Sequence, residues 1–400
     1  MRCPSLPTVA AAPLPAVAAH EQRGLRVLLV TEAAAAGVGR HVVDLAEGLA
    51  ERGCQITLVY SPARTDAQFL ARREALGDVR FVPLPMGRAI HPRDLWSAVQ
   101  LTRTARQLGP FDVIHGHSSK AGALARLAAW RLGVPAVYTP HAFITLDPLL
   151  AGRKRFIYGR IERFLASLGK SRVIAVCDDE AAHARTLGIA GERVRVVFNG
   201  QAPLPMPTRE AARRKLGIQP EWLVLGFVGR LAPQKAPQQM LAAFIAVAKQ
   251  EPRARLAIVG SGPLEADLRQ TAEQAGIGDK ILWLGNIDGP SAMPAFDVFC
   301  LTSLYEVTPY VVLEALQAGV PQVVTRVGIA EEVLERSGCG LVVPVNRPDE
   351  YIAALQKVVL DSELRTRLAA AAAAHGNPFT IAAMVDGTLD VYRELVAEHR

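Results

Sequence analysis

The sequence predicts an α/β protein built from two doubly wound domains that face each other across a cleft. Short runs rich in Val, Ile and Leu alternate with Ala-, Leu- and Arg-rich stretches from Leu25 onward, which is typical of parallel strands covered by helices on both faces. A Pro-rich stretch at 203–207 divides these runs into a first series of seven and a second of six. Since 400 residues exceed what one hydrophobic core usually serves, we expect one domain per series.

The strand assignments set the domain boundaries. Residues 24–202 form the first predicted domain, with strands in RVLLV, QITLVY, VRFVPL, FDVIHGH, AVYTPH, RVIAVC and VRVVFN. Residues 203–375 form the second, with strands in WLVLGFVG, ARLAIVG, ILWLG, FDVFCLT, PQVVT and LVVPV. The echo between LGVPAVYT and AGVPQVVT fits a duplication, but ordinary helix-to-strand punctuation explains it equally well. We expect residues 1–23, rich in Ala and Pro, to be a disordered leader and not a signal peptide.

Composition narrows the class of partner. Half of the residues are hydrophobic, yet no run reaches the 18 or more apolar residues of a membrane-spanning helix, so a soluble or peripheral protein is expected. The net charge of +7 favours anionic partners such as nucleoside diphosphates or acidic lipids, and we expect no nucleic acid. The odd number of cysteines, five, lacks paired spacings, which indicates reduced structural thiols, and no Cys/His spacing indicates a metal site.

The most informative stretch is EVTPYVVLE, which carries Glu306 and Glu314. It follows the apolar run VFCLTS, so the pair is expected where a strand ends and a helix begins, with Glu306 on the loop and Glu314 in the first helical turns. The intervening loop offers free backbone N–H groups at a positive helix end, and carboxylates accept hydrogen bonds from sugar hydroxyls. We therefore predict a nucleotide-sugar pocket formed by Glu306, Val307, Thr308, Pro309, Tyr310 and Glu314. Taken alone, the spacing also fits two solvated glutamates.

A glycine turn follows the first strand. Gly37 and Gly39 are expected to precede an amphipathic helix, where their backbone can approach a phosphate closely. The third glycine of a dinucleotide fingerprint is absent because Val42 occupies its place, and no phosphate-loop signature is found around Lys170. An NAD site and a P-loop NTPase are thus unsupported, whereas a simple tight turn stays open.

Two basic residues follow the first strand of the second domain. Gly229 ends that strand, and Arg230 and Lys235 come after it in GRLAPQKAPQQML. Such cations could clamp a diphosphate and neutralise the charge of a leaving group without a metal, although solvated surface charges are the alternative. A second glycine turn, with Gly260 and Gly262, is placed near the nucleotide.

Histidines mark the strand ends of the first domain. His141 follows Pro140 in VYTPHAF, and its ring is expected at the edge of the cleft. His115 and His117 hold the corresponding place on the preceding strand. His117 and the three residues after it, Ser118, Ser119 and Lys120, form the predicted acceptor-side group. A purely structural role is the alternative for each histidine.

The string RKRFIYGRIERFLASL at 153–168 predicts an amphipathic helix. Its apolar stripe is expected to pack on the first sheet. Its basic side could face an acidic lipid surface or a phosphorylated acceptor, or could simply be solvated. The apolar stripe comprises Ile157, Ile161, Phe164 and Leu168.

Seven strings together resemble the retaining glycosyltransferases of family 4, which have the GT-B architecture of two Rossmann-like domains. In chain order they are GVGRH, HSSKAG, TPHAF, FNG, GRLAPQK, VGSGP and EVTPYVVLEA. The resemblance spans about residues 25–395. It departs from the family where Ala36-Gly37 stands for a Gly-Gly pair and where Val307-Thr308 follows the first glutamate.

The resemblance implies a role for each matching residue. Arg230 and Lys235 would bind the donor diphosphate, Glu314 the ribose, and Glu306 would lie beside the transferred sugar. His141 would contact that sugar, and Gly37 and Gly39 would lie against phosphate and acceptor. The helix in residues 376–400 would return to the first domain.

The function that follows is retaining hexosyl transfer from a nucleoside diphosphate sugar to a glycan or polyprenyl-linked acceptor, in cell-surface polysaccharide assembly. We expect a cytoplasmic protein, for which work at the inner face of the cytoplasmic membrane and a small soluble acceptor both stay open. We expect no cofactor and no metal. Catalysis would rest on Glu306, His141, Arg230 and Lys235. A nucleotide-sugar epimerase and a non-catalytic binding subunit are the alternatives.

Overall fold

The computed structural model describes residues 24–87 and 94–399. Seven strands form the first sheet: β1 Arg26–Thr31, β2 Gln55–Tyr60, β3 Val79–Pro83, β4 Val113–His117, β5 Ala136–Thr139, β6 Ser171–Ala175 and β7 Val194–Val196. Six form the second: β8 Leu223–Val228, β9 Ala254–Val259, β10 Ile281–Gly285, β11 Val298–Leu301, β12 Gln322–Thr325 and β13 Gly340–Val343. Each of the thirteen predicted strands is confirmed.

Helices separate the strands and cover both sheets. In chain order they are α1 Ala36–Glu51, α2 Ala67–Ala75, α3 Asp94–Leu108, α4 Ser119–Leu132, α5 Gly152–Ser167, α6 Asp178–Thr186, α7 Arg209–Lys215, α8 Pro237–Ala248, α9 Glu265–Gln274, α10 Gly289–Ala292, α11 Tyr310–Gln317, α12 Ala330–Ser337, α13 Pro348–Leu360, α14 Ser362–His375 and α15 Ile381–Ala397.

Strand β1 shows why helices lie on both faces of a sheet. Val27 and Leu29 pack in one apolar cluster with α1 and α15, whereas Leu28 and Val30 pack in another with α3 and α4. Successive side chains of a strand point to opposite faces, and all four are fully buried. An uninterrupted apolar strand is therefore stable only between two layers of helix.

The order of the strands places a crevice in each domain. The sheets run β3-β2-β1-β4-β5-β6-β7 and β10-β9-β8-β11-β12-β13, with parallel pairing. The order reverses at β1 and at β8, and open α/β sheets bind ligands at the carboxyl ends of strands beside such a point. These ends face one another, because Thr308 after β11 donates a hydrogen bond to Val176 O after β6 at 3.4 Å.

The chain passes between the domains twice, and the two passages touch. Residues 201–208 carry no regular structure, and Gln201 N donates to Phe379 O at 3.0 Å. A Cβ on Gly200 would lie 2.4 Å from Thr380 O, so only glycine fits there. Helix α15 then packs against α1 of the first domain, where Val385 fills the space beside Gly48.

The predictions about the cysteines, the leader and membrane-spanning helices can be compared with the structure only within the described ranges. Cys54, Cys177, Cys300 and Cys339 are buried free thiols, in agreement with the expectation for them. Cys3 and the predicted leader, residues 1–23, lie outside the described residues. Within those ranges no helix combines the length and the apolar character that crossing a membrane demands.

Candidate active site

The carboxyl ends of β8 and β11 bring Lys235 and Glu306 together. Lys235 ends a short 3₁₀ turn after β8, and its Nζ lies 2.5 Å from Glu306 Oε1 on the loop after β11. Ser303 Oγ donates to the same carboxylate oxygen at 3.0 Å. Both charged side chains are mostly buried, 17% and 13% exposed. The pair is thus held in a defined geometry and is not a solvated surface contact.

Backbone contacts fix the two loops against each other. Thr302 Oγ1 donates to Lys235 O at 3.0 Å, and Gln234 Nε2 donates to Tyr305 O at 3.1 Å. Leu304 N donates to Gln234 O at 2.8 Å. Each loop donates hydrogen bonds to the other, so the Lys235 ammonium group and the Glu306 carboxylate are preorganised.

Three glycines allow the strand-end loops of the second domain to approach closely. A Cβ on Gly260 would lie 2.1 Å from Gly229 O, and one on Gly262 would lie 2.3 Å from Leu231 O. Gly229 itself leaves room for the Lys235 stem, whose Cε would lie 3.3 Å from a Cβ there. The glycine turn predicted near the nucleotide therefore packs directly on the loop that carries Lys235.

Arg230 is the exposed cation of this region. It follows Gly229, and no ion pair joins its guanidinium to another residue of the described ranges. Its donors stay available to an anion, whereas the Lys235 ammonium is shared with Glu306.

Glu314 lies in α11, the helix that follows the loop carrying Glu306, and it faces the first domain. It is 6% exposed, and Arg40 Nη1 of α1 lies 3.5 Å from its Oε1. Burial raises the pKa of Glu314, and the charge of Arg40 partly opposes that shift. Arg40 also lies over the Tyr310 ring, 5.2 Å from its centroid. A Cβ on Gly37 would lie 3.4 Å from the same ring.

The glycine turn after β1 differs from its predicted place by one helical turn. Helix α1 begins at Ala36, so Gly37 and Gly39 lie inside its first turn instead of preceding it. Ala36 adopts φ +49, in the left-handed region that favours glycine. Gly39 is required for packing, because a Cβ there would lie 2.7 Å from the Ala34 backbone.

The loop between the two glutamates packs between the domains. Val307 and Thr308 are buried, and Val307 O accepts from Ile329 N at 3.2 Å. The N–H groups of Val307 and Thr308 donate no hydrogen bond to any residue within 24–87 or 94–399. Pro309 caps α11 and Tyr310 begins it, so unpaired amides precede a helix N-terminus, where an anion is favoured.

A cluster of imidazoles occupies the carboxyl ends of β4 and β5. His117 Nδ1 lies 3.2 Å from His141 Nε2, and the His41 ring of α1 lies 4.5 Å from the His141 ring, centroid to centroid. Burial lowers the pKa of His41 to about 4, an effect that a polar interaction with Asn199 partly opposes. Burial also lowers the pKa of His117 and of His141 well below the usual value. The rings are therefore neutral near pH 7.

Glu180 holds the turn that presents His141. His141 and Ala142 both adopt positive φ, +54 and +83, a conformation that non-glycine residues rarely take. Glu180 Oε1 accepts from Ala142 N and Oε2 accepts from Val176 N, each at 2.8 Å. These two bonds fix the strained turn. Burial raises the pKa of Glu180 to about 7.

The predicted acceptor-side residues are largely enclosed in the first domain. His117 is fully buried, and Lys120 is 8% exposed and acts electrostatically on buried Glu32. Ser118 adopts φ +67 before α4, and Ser119 begins that helix. His115 has a structural role, because its ring bonds Tyr392 Oη of α15 at 2.6 Å and Thr139 Oγ1 at 2.8 Å.

The prediction that the apolar stripe of α5 packs on the first sheet is wrong. Ile157, Ile161 and Phe164 are 53%, 43% and 60% exposed, and Phe156 is 69% exposed. The helix instead buries Gly159, Glu162, Leu165 and Ala166. The buried Glu162 forms an ion pair with Arg126 of α4 at 2.7 Å, and this polar anchor sets the phase of the helix.

Comparisons with known proteins agree with this architecture. The family model described as Glycosyltransferase Family 4 matches residues 35–201, and the model described as Glycosyl transferases group 1 matches residues 208–375. A D-inositol 3-phosphate glycosyltransferase from Saccharomonospora viridis is 30% identical over 398 residues, which cover 92% of this chain and 91% of the relative. The chain belongs to glycosyltransferase family 4.

Other proteins similar to this glycosyltransferase include a relative whose name states a different acceptor, and two solved structures. The UDP-Gal:alpha-D-GlcNAc-diphosphoundecaprenol alpha-1,3-galactosyltransferase of Escherichia coli is 29% identical over 325 residues, covering 79% of this chain and 84% of the relative. Among solved structures, Anabaena HepE in complex with UDP and glucose aligns with a TM-score of 0.77 at 20% identity, covering 92% of this chain and 100% of that one. WaaG, involved in lipopolysaccharide biosynthesis, aligns at 0.74 and 18%, covering 92% and 99%. The predicted GT-B fold is confirmed.

Sequence reasoning missed three residues of this glycosyltransferase site. Arg40 and His41 stand next to Gly39 in GVGRH. Arg40 lies three positions after Gly37, on the same face of α1, and that spacing was the available signal. The sequence around Glu180 gave no signal, because no local pattern shows that this side chain binds the backbone of the turn at Ala142.

A surface cavity elsewhere in the second domain does not belong to this site. It measures about 520 Å³ and is lined in part by Arg209, Asp297 and Arg365. Arg209 and Asp297 neutralise each other in an ion pair at 2.6 Å. None of the predicted site residues lines it, so the strand ends remain the candidate site.

Proposed function

We propose that this glycosyltransferase moves a hexose from a uridine diphosphate sugar to a phosphate-bearing, polyprenyl-linked acceptor, with retention at the anomeric carbon. The observation that carries the proposal is the preorganised pair of Lys235 and Glu306 at the crevice of the second sheet. Support for uridine comes from the relative named for UDP-Gal and from the fold neighbour bound to UDP and glucose.

Lys235 and Arg230 would bind the diphosphate. An ammonium group has three N–H donors, so Lys235 can hold Glu306 and still donate to a phosphate oxygen. Arg230 adds a planar fork of donors that suits phosphate. Because these two cations offset the charge of the leaving group, we propose that transfer needs no divalent metal.

The transfer step would occur on one face of the sugar. The bond between the anomeric carbon and the diphosphate oxygen breaks, and the acceptor hydroxyl oxygen bonds to that carbon from the same side. The hydroxyl proton passes to the departing phosphate oxygen. Lys235 and Arg230 stabilise the charge that develops on the phosphate, which is the largest effect a preorganised site of this kind supplies.

The carboxylates would hold the donor on either side of that bond. Glu314 would accept hydrogen bonds from the ribose hydroxyls, where its present partner is Arg40 at 3.5 Å. Glu306, fixed by Lys235 and Ser303, would lie beside the hexose, with His141 facing it from the first domain. The free amides of Val307 and Thr308 would complete the anion site.

Helix α5 supports an acceptor held at an acidic membrane. Its exposed face combines Phe156, Ile157, Ile161 and Phe164 with four exposed cations, Arg153, Lys154, Arg160 and Arg163. Its one acidic residue, Glu162, is buried. Aromatic and basic groups on one helix face suit binding at the surface of anionic lipid. We therefore propose work at the cytoplasmic face of the membrane, in polysaccharide assembly.

A donor and acceptor panel tests the proposal. Purified enzyme is incubated with UDP-, GDP- and ADP-hexoses, with GlcNAc-diphosphoundecaprenol or D-inositol 3-phosphate, in EDTA, and products are resolved by NMR. An α-linked product from a UDP-hexose on the lipid-linked acceptor supports it. Transfer only to D-inositol 3-phosphate would contradict the proposed lipid-linked acceptor. A β-linked product would contradict retention at the anomeric carbon. An epimerised donor would instead indicate a nucleotide-sugar epimerase, and donor binding without turnover would indicate a non-catalytic binding subunit.

A further inference from the structure

Two buried histidines and one half-buried histidine form a cluster at the base of the first crevice, and the proposed transfer uses only one of them, His141. One ring nitrogen each from His41, His117 and His141 lies within 4.8 Å of the others. The three come from α1, β4 and the turn after β5, so separate elements converge on one point.

The hydrogen bonds of this cluster are incomplete. Neither ring nitrogen of His41 makes a hydrogen bond of normal geometry with a residue of the described ranges. His41 is 4% exposed and His117 is fully buried. Buried polar atoms are nearly always partnered, so the ring nitrogens of His41, which interact with Asn199 only outside normal hydrogen-bond geometry, point to a missing ligand.

The chemistry of the missing ligand follows from the donors. The group consists of imidazoles without a carboxylate or a thiolate, and neutral imidazole suits Zn²⁺ and its neighbours among the transition metals but not Mg²⁺ or Ca²⁺. Zn–N bonds of about 2.1 Å in a tetrahedron place ligand nitrogens roughly 3.4 Å apart. His117 Nδ1 and His141 Nε2, which share a hydrogen bond of 3.2 Å, already stand at nearly that spacing. His41 offers a ring nitrogen within 4.8 Å of one from each of the other two rings and would move closer to complete the set.

We propose that His41, His117 and His141 bind one Zn²⁺ ion, and that this ion inhibits the enzyme. Three protein ligands leave a fourth position for water. The ion occupies His141 Nε2 and thereby removes the contact that His141 makes with the donor sugar, a consequence that rests on the proposed function. The site is separate from the diphosphate clamp, because Lys235 and Arg230 lie in the other domain.

Metal binding can be measured without reference to activity. Co²⁺ is titrated into the full-length protein and its visible absorption is recorded, and Zn²⁺ is then titrated by calorimetry. We expect one equivalent to bind with tetrahedral Co²⁺ bands that Zn²⁺ abolishes. Loss of an outer-shell partner of a metal already costs about 10–100-fold in affinity, so His41→Asn should weaken binding at least about 100-fold. His375→Asn, at an exposed histidine of α14, is the control and should bind as the wild type does.

A second variant covers the case in which His41→Asn does not fold. His141→Asn alters the partly exposed member of the cluster, leaves the buried rings in place and should also lose the ion. Absence of Co²⁺ bands in the wild type, or unchanged affinity in either folded variant, overturns the site. In turnover assays Zn²⁺ should inhibit the wild type at least 10-fold, reversibly with EDTA. His-dependent binding without inhibition would overturn the inhibitory role, and His-dependent binding in a protein without transferase activity would overturn the proposed function alone.

Discussion

Arg40 of the first domain and Glu314 of the second form an ion pair of 3.5 Å across the cleft. The arginine is 24% exposed and the carboxylate 8% exposed, counted over their side chains, so the contact lies at the buried floor of the crevice. Glu314 thus has a partner in the absence of donor, and a ribose would take up its remaining acceptor capacity.

Replacing Glu314 with Gln should weaken donor binding more than it slows turnover. The amide keeps the shape but loses charge-assisted hydrogen bonds, each worth about 1.5–3 kcal/mol, so we expect the Kd for UDP-hexose to rise about 10–100-fold. Ribose contacts are equal in the ground state and the transition state, so kcat should change little. Calorimetry and initial rates measure both. Glu350→Gln, on the surface of α13, is the control, and an unchanged Kd in Glu314→Gln would exclude ribose binding.

Replacing Gly262 with Ala should destabilise the second domain and loosen the nucleotide loop. The added Cβ would lie 2.3 Å from Leu231 O, and such overpacking typically costs about 1–3 kcal/mol. Gly77→Ala is the matched control, because nothing lies within 4 Å of a Cβ there. Urea denaturation measures the difference. Equal free energies of unfolding for the two variants would contradict the close packing of the loops.

Replacing Phe156 and Phe164 with Ser should weaken the proposed binding to anionic membranes without unfolding the protein. Both rings are mostly exposed, and burying each in lipid contributes about 1.5–3 kcal/mol. We therefore expect the double variant to bind vesicles of anionic phospholipid at least about 100-fold more weakly, as measured by cosedimentation. The double variant Ile287→Ser with Leu360→Ser removes exposed apolar residues of the second domain and should bind normally. Equal binding by both double variants would exclude α5 as the contact.

Replacing His41 with Asn should flatten the pH dependence of stability below neutral pH. Burial lowers the pKa of His41 to about 4 in the folded protein, whereas a histidine in the unfolded chain has a pKa of about 6.5. The unfolded state therefore binds the proton first, and stability present above about pH 6.5 is lost as the pH falls toward 4, by about 3 kcal/mol.

Chemical denaturation at pH 7 and pH 5 measures this effect. The wild type should lose about 2 kcal/mol more of its free energy of unfolding between these pH values than His41→Asn does. The raised pKa of Glu180, about 7, acts in the opposite direction, since stability from a protonated carboxyl group falls as the pH rises from about 4.5 to 7. That contribution is common to both proteins and cancels. Parallel curves would show that His41 is not buried as a neutral ring.

The sequence predicted the strands well because buried parallel strands consist of uninterrupted apolar residues bounded by Gly and Pro. The placement of Glu306 on a loop and of Glu314 inside α11 followed from the same local signals. Helix α5 was predicted with the wrong face buried, because apolar spacing does not reveal that Arg126 would bind Glu162 in the interior.

Contacts between distant elements lay beyond sequence reasoning. Arg40 meets Glu314 only because the two domains close on each other. His41 joins His117 and His141 only because α1 crosses the ends of β4 and β5. No local sequence pattern predicts either contact, since each depends on how whole helices and strands pack.

Turnover by a Lys235→Met variant is the most direct test of the central claim, which is that Lys235, preorganised by Glu306, stabilises the leaving diphosphate. Methionine keeps the apolar stem beside Gly229 and removes the charge. With UDP-hexose and acceptor, kcat should fall about 10²-fold or more, the loss typical of one preorganised charge-stabilising donor, while Lys249→Met at the exposed end of α8 should retain wild-type kcat. A folded Lys235→Met enzyme with near-wild-type kcat would contradict the account.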